Sequence, residues 1–187
     1  MLIIGITGTL GAGKGTIVDY LDTEKGFTHF SVRDFIVEEI KRRGLNVDRD
    51  SMTAVANDLR AKHSPAYIAE QLYERAKKSG KNSIIESIRT PGEVELLKSK
   101  GNFYLFAVDA DPKTRFERIQ IRKSSTDNVD FETFQANEKR EMQSSDPNKQ
   151  NLLKCREMAD FVLENDGCIS ELNAQIEEIL IQIESKN

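Results

Sequence analysis

Tryptophan is absent from this chain, and only two cysteines, two histidines and four prolines occur among its 187 residues. Cys155 and Cys168 are too few for a disulfide framework and lack the paired spacing of a metal site. Both read as small buried hydrophobes, and a reducing compartment, the cytoplasm, is expected. His29 and His63 stand alone without partners at metal-ligand spacing, so both read as structural. Aromatic residues are 7% of the chain, which offers no obvious stacking platform for bases. There is no basic surplus either: 27 Lys and Arg against 31 Asp and Glu give a net charge of −4, which argues against nucleic acid as a partner. No apolar run approaches the roughly twenty residues of a membrane helix, so no membrane partner is expected. The N-terminus runs straight into a core strand, and no signal peptide is read there.

What is present is organised around one stretch. Leu2 to Thr7 is an almost unbroken apolar run, as a strand buried on both faces of a parallel sheet requires. Gly8-Thr9-Leu10-Gly11-Ala12-Gly13-Lys14-Gly15-Thr16 follows, and then Ile17, Val18 and Leu21 recur at helical spacing. Strand, glycine loop and helix together are the context of a phosphate-binding loop. Across Gly8, Gly11, Ala12, Gly13, Gly15 and Thr16, successive backbone N–H groups can converge on phosphate oxygens, and the helix adds its positive N-terminal end. Lys14 can reach the outer phosphates as a mobile point charge. The cofactors implied are ATP and Mg2+.

The rest of the chain alternates. Further strands are expected at Phe27–Val32, Ser83–Glu86, Phe103–Val108 and Phe161–Leu163. Helices are expected at about 34–43, from Asp50-Ser51, from Ser64-Pro65, from a Thr90-Pro91-Gly92-Glu93 capping box, at 112–122, 130–143 and 147–158, and in the striped C-terminal segment. Lys123 to Asn128 is polar and unpatterned and reads as a loop. Continuous apolar strands separated by helices mean an α/β fold, a five-stranded parallel sheet with helices on both faces. One domain spanning 1–187 is expected, with its core at 1–33, 81–122 and 159–187. In such sheets ligands sit at the carboxyl ends of the strands, where the loop, Asp34 and Arg89 all fall.

The string Gly-Ala-Gly-Lys-Gly-Thr at positions 11–16 resembles the phosphate loop of adenylate kinases, in which Gly15 stands where the general motif has Ser or Thr. Ile84 to Thr90 is similar to their strand-end string Asp-Gly-Phe-Pro-Arg-Thr, with Glu86 in place of aspartate and Ser87 in place of glycine. Closer still is the resemblance of Ile88-Arg89-Thr90-Pro91-Gly92-Glu93-Val94-Glu95, and of Ala159-Asp160 through Asn165 and Gly167, to archaeal adenylate-kinase-like proteins. The resemblance implies a nucleoside monophosphate kinase-like fold with acceptor-binding helices at about 34–80 and a helical lid at about 123–158. It implies that Arg89 clamps the acceptor phosphate and that Thr16 and Glu86 hold magnesium through water. Asp34 matches an aspartate found both in adenylate kinases and, as a base, in dephospho-CoA kinases. The arginine expected three residues beyond it is Val37 here, and Arg33 or Arg60 could replace it. Arg115, Arg118 and Arg122 share a helix face by spacing. The resemblance puts Arg122 on the transferring phosphoryl group and Arg118 at the nucleotide, and leaves Arg115 to a solvated face. A lid cation among Lys139, Arg140 and Arg156 would close on the nucleotide.

These expectations describe a Mg-ATP-dependent phosphotransferase with catalytic Lys14, Arg89, Arg122 and Asp34. It would act on a small nucleotide-like acceptor as a monomer or dimer. Two alternatives stand beside it: transfer to a hydroxyl, as in dephospho-CoA kinases, and a regulatory module that binds ATP with little transfer.

Overall fold

The computed structural model describes residues 1–122 and 129–185, so the loop expected at Lys123–Asn128 lies outside the described residues. In chain order the first half holds β1 (Ile3–Gly8), α1 (Lys14–Thr23), β2 (Thr28–Ser31), α2 (Val32–Arg42), α3 (Arg49–Lys62), α4 (Tyr67–Ser79) and β3 (Ser83–Glu86). The second half holds α5 (Pro91–Ser99), β4 (Phe103–Asp109), α6 (Pro112–Arg122), α7 (Phe131–Met142), α8 (Leu152–Glu157), β5 (Phe161–Glu164) and α9 (Ile169–Glu184). The strands form one five-stranded sheet in the order β2-β3-β1-β4-β5. All four pairings are parallel.

Parallel pairing explains the apolar runs. Ile4 and Ile6 point to one face and meet Ile17, Leu21, Ile176 and Ile183 of α1 and α9. On the other face Ile3, Ile85 and Leu105 meet residues of α2, α3, α4, α5 and α8. Each fully buried Ile or Leu contributes roughly 1.5–3 kcal/mol relative to exposure, so strand order is set where both faces are apolar. The registers align Ile6 with Glu86 and Ser31 with Glu86, and β4 runs beside β1 to Val108 opposite Gly8. All strand carboxyl ends therefore share one edge.

Several helix boundaries differ from the sequence reading, and local hydrogen bonds give the reason. α2 begins at Val32 because the Ser31 hydroxyl accepts from Asp34 N. α3 begins at Arg49 because Asp48, not Asp50, caps it through Ser51 N at 2.7 Å. Pro65 is not the first residue of α4: it lies in a turn closed by Tyr67 N to Ser64 O, and its own carbonyl accepts from Thr90 Oγ1. α8 starts only at Leu152, since Asp146 closes a turn over Asn148 and Lys149, and Asn151 supplies the cap. The Thr90–Glu93 capping box is formed. Cys155 is buried as expected, but Cys168 is exposed at the start of α9.

Candidate functional site

A cavity of about 710 Å³ opens at the carboxyl edge of the sheet. It is lined by Leu10, Gly11 and Gly13–Thr16 of the loop, by residues of α2 and α3, by Glu86 at the end of β3 with Ser87 and Arg89 after it, and by Arg118 and Arg122 of α6. Glu141 of α7, Gln150 and Asn165 also line it, and so does His29, read from the sequence as structural, whose Nε2 lies 3.9 Å from Glu86 Oε2. Among the described residues, Lys14, Arg33, Arg49, Arg60, Arg89, Arg118 and Arg122 face it against three carboxylates, those of Asp19, Glu86 and Glu141. A chain of net charge −4 thus turns a surplus of positive charge inward, which suits a polyanion.

The loop is shaped by close approach. Gly11 has φ +80°, and a Cβ there would lie 2.4 Å from Arg115 O. Gly13 has φ +106°, and a Cβ there would lie 2.0 Å from Asn165 Nδ2, which donates to Ala12 O at 2.8 Å. Only glycine fits both positions. Ala12 faces the core instead of the cavity. Lys14 Nζ donates to Gly8 O at 2.8 Å and Thr9 O at 2.7 Å, so the lysine folds back over its own loop. Burial, with Arg89 and Arg122 nearby, lowers its pKa to about 8, while Glu86 and Glu141 act the other way.

Arg89 is placed from three sides. Its N–H donates to Glu93 Oε2 at 2.8 Å, its carbonyl accepts from Asn151 N, and its Nη1 donates to Glu141 Oε2 at 2.7 Å and Gln150 Oε1 at 2.6 Å. Just before it, Ser87 adopts φ +71°, where L-residues other than Gly, Asn and Asp are uncommon. Its hydroxyl donates to Glu86 Oε1. The glycine of the adenylate kinase string suits this same backbone turn. Arg60, 1% exposed, is held by Glu93 Oε1 through Nε and Nη2 at 3.2 and 2.8 Å, and it lines the cavity.

Lys14, Thr16, Glu86, Arg89, Arg118 and Arg122 are brought together as the sequence anticipates. Asp34 is not brought with them: it is exposed in the first turn of α2 and does not line the cavity. Arg115 does not lie on a solvated face. It is 3% exposed, donates to Ala110 O and Leu10 O, and pairs with Glu138 at 2.7 Å, because α7 packs over α6 through Phe116, Phe131 and Phe134. No cation of α7 or α8 lines the cavity. Lys139 is exposed, Arg140 approaches exposed Asp50, and Arg156 pairs with Asp109 at 2.7 Å. α7 instead delivers Glu141 to the cavity and Glu138 to Arg115.

Five functional residues escaped the sequence reading: Asp109, Glu138, Glu141, Arg49 and Gln150. Asp109, at the carboxyl end of β4, accepts from Thr9 Oγ1 at 3.0 Å and so steadies the loop. Its place at the end of an apolar strand was a usable signal. The spacing of Phe134, Glu138 and Glu141 on one face of α7 was another. Nothing local distinguished Arg49 or Gln150.

A glycine loop with lysine at the end of the central strand, in a parallel sheet of order β2-β3-β1-β4-β5 with an arginine-lined cavity beside it, defines a P-loop kinase-like domain. The chain belongs to the AAA domain family, whose model matches residues 4–146, and to the UPF0200 proteins. It is 30% identical over 188 residues to the UPF0200 protein of Methanothermobacter thermautotrophicus, covering 100% of this chain and 93% of that one. In fold it resembles shikimate kinase from Bacteroides thetaiotaomicron, with a TM-score of 0.58 at 16% identity over 96% and 98% of the two chains. It likewise resembles dephospho-CoA kinase from Campylobacter jejuni, with a TM-score of 0.57 at 13% identity over 99% and 98%.

Proposed function

We propose that this chain is a Mg-ATP-dependent phosphotransferase acting on a small nucleotide-like acceptor that bears an anionic group, a nucleoside monophosphate first among them. One observation carries the reading: the phosphate loop and the arginines beyond β3 line the same cavity. The residues present suit ATP. Lys14 can exchange its two loop carbonyls for phosphate oxygens, and Arg118 Nη1 is buried without a hydrogen-bond partner among the described residues. Magnesium would be held by the Thr16 hydroxyl and by Glu86 through water, and would supply charge neutralisation between the outer phosphates. Catalysis is positioning plus stabilisation of developing charge. Loop N–H groups and Lys14 hold the donor, Arg122 faces the transferring group, and Arg89 orients the acceptor. An acceptor that already carries a phosphate oxygen needs no general base, which accords with Asp34 lying outside the cavity lining.

The test is an acceptor panel with coupled ADP detection on wild type and three variants. Lys14→Ala is expected to weaken ATP binding and turnover together. Arg89→Ala is expected to lower kcat/KM for the acceptor at least tenfold with ATP affinity held within about twofold. Asp34→Asn is expected to change turnover by less than about threefold. A loss of a hundredfold or more in that variant would mark a general base and a hydroxyl acceptor.

A further inference from the structure

Glu141 is 5% exposed, lies on α7, and reaches across to two arginines of other elements. Its Oε2 accepts from Arg89 Nη1 at 2.7 Å and its Oε1 from Arg49 Nη2 of α3 at 2.5 Å. Gln150 Oε1 accepts from the same Arg89 Nη1. Two guanidiniums and one carboxylate leave a net positive charge facing the cavity, and Arg49 Nε is buried there without a hydrogen-bond partner among the described residues. Burial pushes the carboxyl up, but Arg89 and Arg49 outweigh it and hold its pKa below the usual range, so Glu141 is ionised at neutral pH. Nothing in the packing of α7 demands this carboxylate. The helix is already fixed by Phe134 in the aromatic cluster and by Glu138 on Arg115.

The geometry points to Arg49 and Arg89 as an anion-binding subsite that Glu141 fills in the unliganded chain, to be displaced there by the phosphate or carboxylate of the acceptor. The inference rests on the proposed kinase reading only in naming the ligand an acceptor. Both arginines line the cavity that holds the loop, so an anion seated between them shares one chamber with the donor phosphates. A planar guanidinium pair binds a carboxylate or a phosphate in the same way. A dianionic phosphate competes for it better than a neutral hydroxyl can, so Glu141 sets a threshold of charge that an acceptor must meet. Displacement also frees the last turn of α7 from the cavity wall, while Phe134 and Glu138 hold the rest of the helix in place.

Inorganic phosphate is the probe, titrated calorimetrically into the full chain with the loop saturated by Mg-ADP. Glu141→Gln is expected to bind phosphate at least tenfold tighter than wild type, and Arg49→Ala introduced into that variant is expected to abolish the gain. The same comparison in a Lys14→Ala background, without ADP, keeps the loop from contributing. Failure of Mg-ADP to bind wild type would defeat the kinase proposal, while a gain persisting in the Lys14→Ala background would still support the subsite. Hydrogen exchange supplies a readout independent of variants: saturating phosphate is expected to raise exchange in the last turn of α7 in wild type. Equal phosphate affinity of folded wild type and Glu141→Gln, or a gain that survives Arg49→Ala, would overturn the inference.

Discussion

Lys14 is both the residue that the sequence points to first and a buried cation with other cations close by. Burial and then Arg89 disfavour its charge and lower its pKa from 10.5 to about 8. Well below pH 8 the lysine is protonated in folded and unfolded chains alike, and the cost of burying its charge is present in full. Between about 8 and 10.5 the unfolded chain holds more protons, so this group's contribution to stability rises with pH over that window. A phosphate placed against it reverses the shift. Mg-ADP binding at pH 8 is therefore expected to take up about half a proton from buffer, and almost none at pH 6.5. Calorimetry in two buffers of different ionisation enthalpy measures this, and equal enthalpies at pH 8 would contradict it. Ser87 belongs to the same scale, because its positive φ marks where the chain turns away from β3 to aim Arg89.

At the scale of elements, the loop and α1 form one unit whose glycines are not equivalent. Gly11 combines φ +80° with a backbone carbonyl 2.4 Å from any Cβ, whereas Gly15 lies inside α1 with nothing within 4 Å. Opposite signs follow. Gly11→Ala is expected to lose about 1–3 kcal/mol of stability and to weaken ADP binding, since the backbone must shift away from α6. Gly15→Ala is expected to gain about 0.5 kcal/mol through lower backbone entropy in the unfolded chain. Urea unfolding of both variants is the measurement, and a stabilised Gly11→Ala would refute the close-approach argument. Helix α7 follows the same logic from the other direction: its placement comes from three aromatic rings and from Glu138 on Arg115, not from its exposed lysines and arginines.

Across the whole molecule, Arg60 and Glu93 join the helices inserted after β2 to the core. Arg60 comes from α3 and Glu93 from α5, at 1% and 0% exposure, and the two Glu93 oxygens accept from Arg60 and from the N–H groups of Arg89 and Thr90. One carboxylate thus caps α5, steadies the backbone of Arg89 and neutralises a buried guanidinium on the cavity wall. Glu93→Gln keeps the capping geometry but leaves Arg60 charged and unpaired. Removing one partner of a buried pair costs about 3–5 kcal/mol, and that loss is expected in denaturant unfolding, with acceptor affinity falling more than ATP affinity. A loss below about 1 kcal/mol would mean that water reaches Arg60 in place of its partner.

Elements that depend on near neighbours were already legible in the order of residues. Continuous apolar strands, the glycine loop with Lys14, the Thr90–Glu93 box and the stripe of α9 are written in spacings of one to four residues. They sufficed for a parallel α/β sheet and for a nucleotide loop at its carboxyl edge. Tertiary structure alone decided the partners of the charged side chains. Arg115 and Glu141 look like members of exposed helix faces until α7 folds over α6 and the cavity, and Arg60 looks like any helical arginine until Glu93 arrives from 33 residues away. Asp34 carried the right residue type at the right strand end, yet α2 begins at Val32 and leaves it exposed outside the cavity lining. For Arg115, Glu141 and Arg60 one cause is shared. Hydrophobic periodicity records which face of an element is buried, whereas a buried charge is stable only beside a partner. That partner comes from an element whose position is known only after the chain has folded.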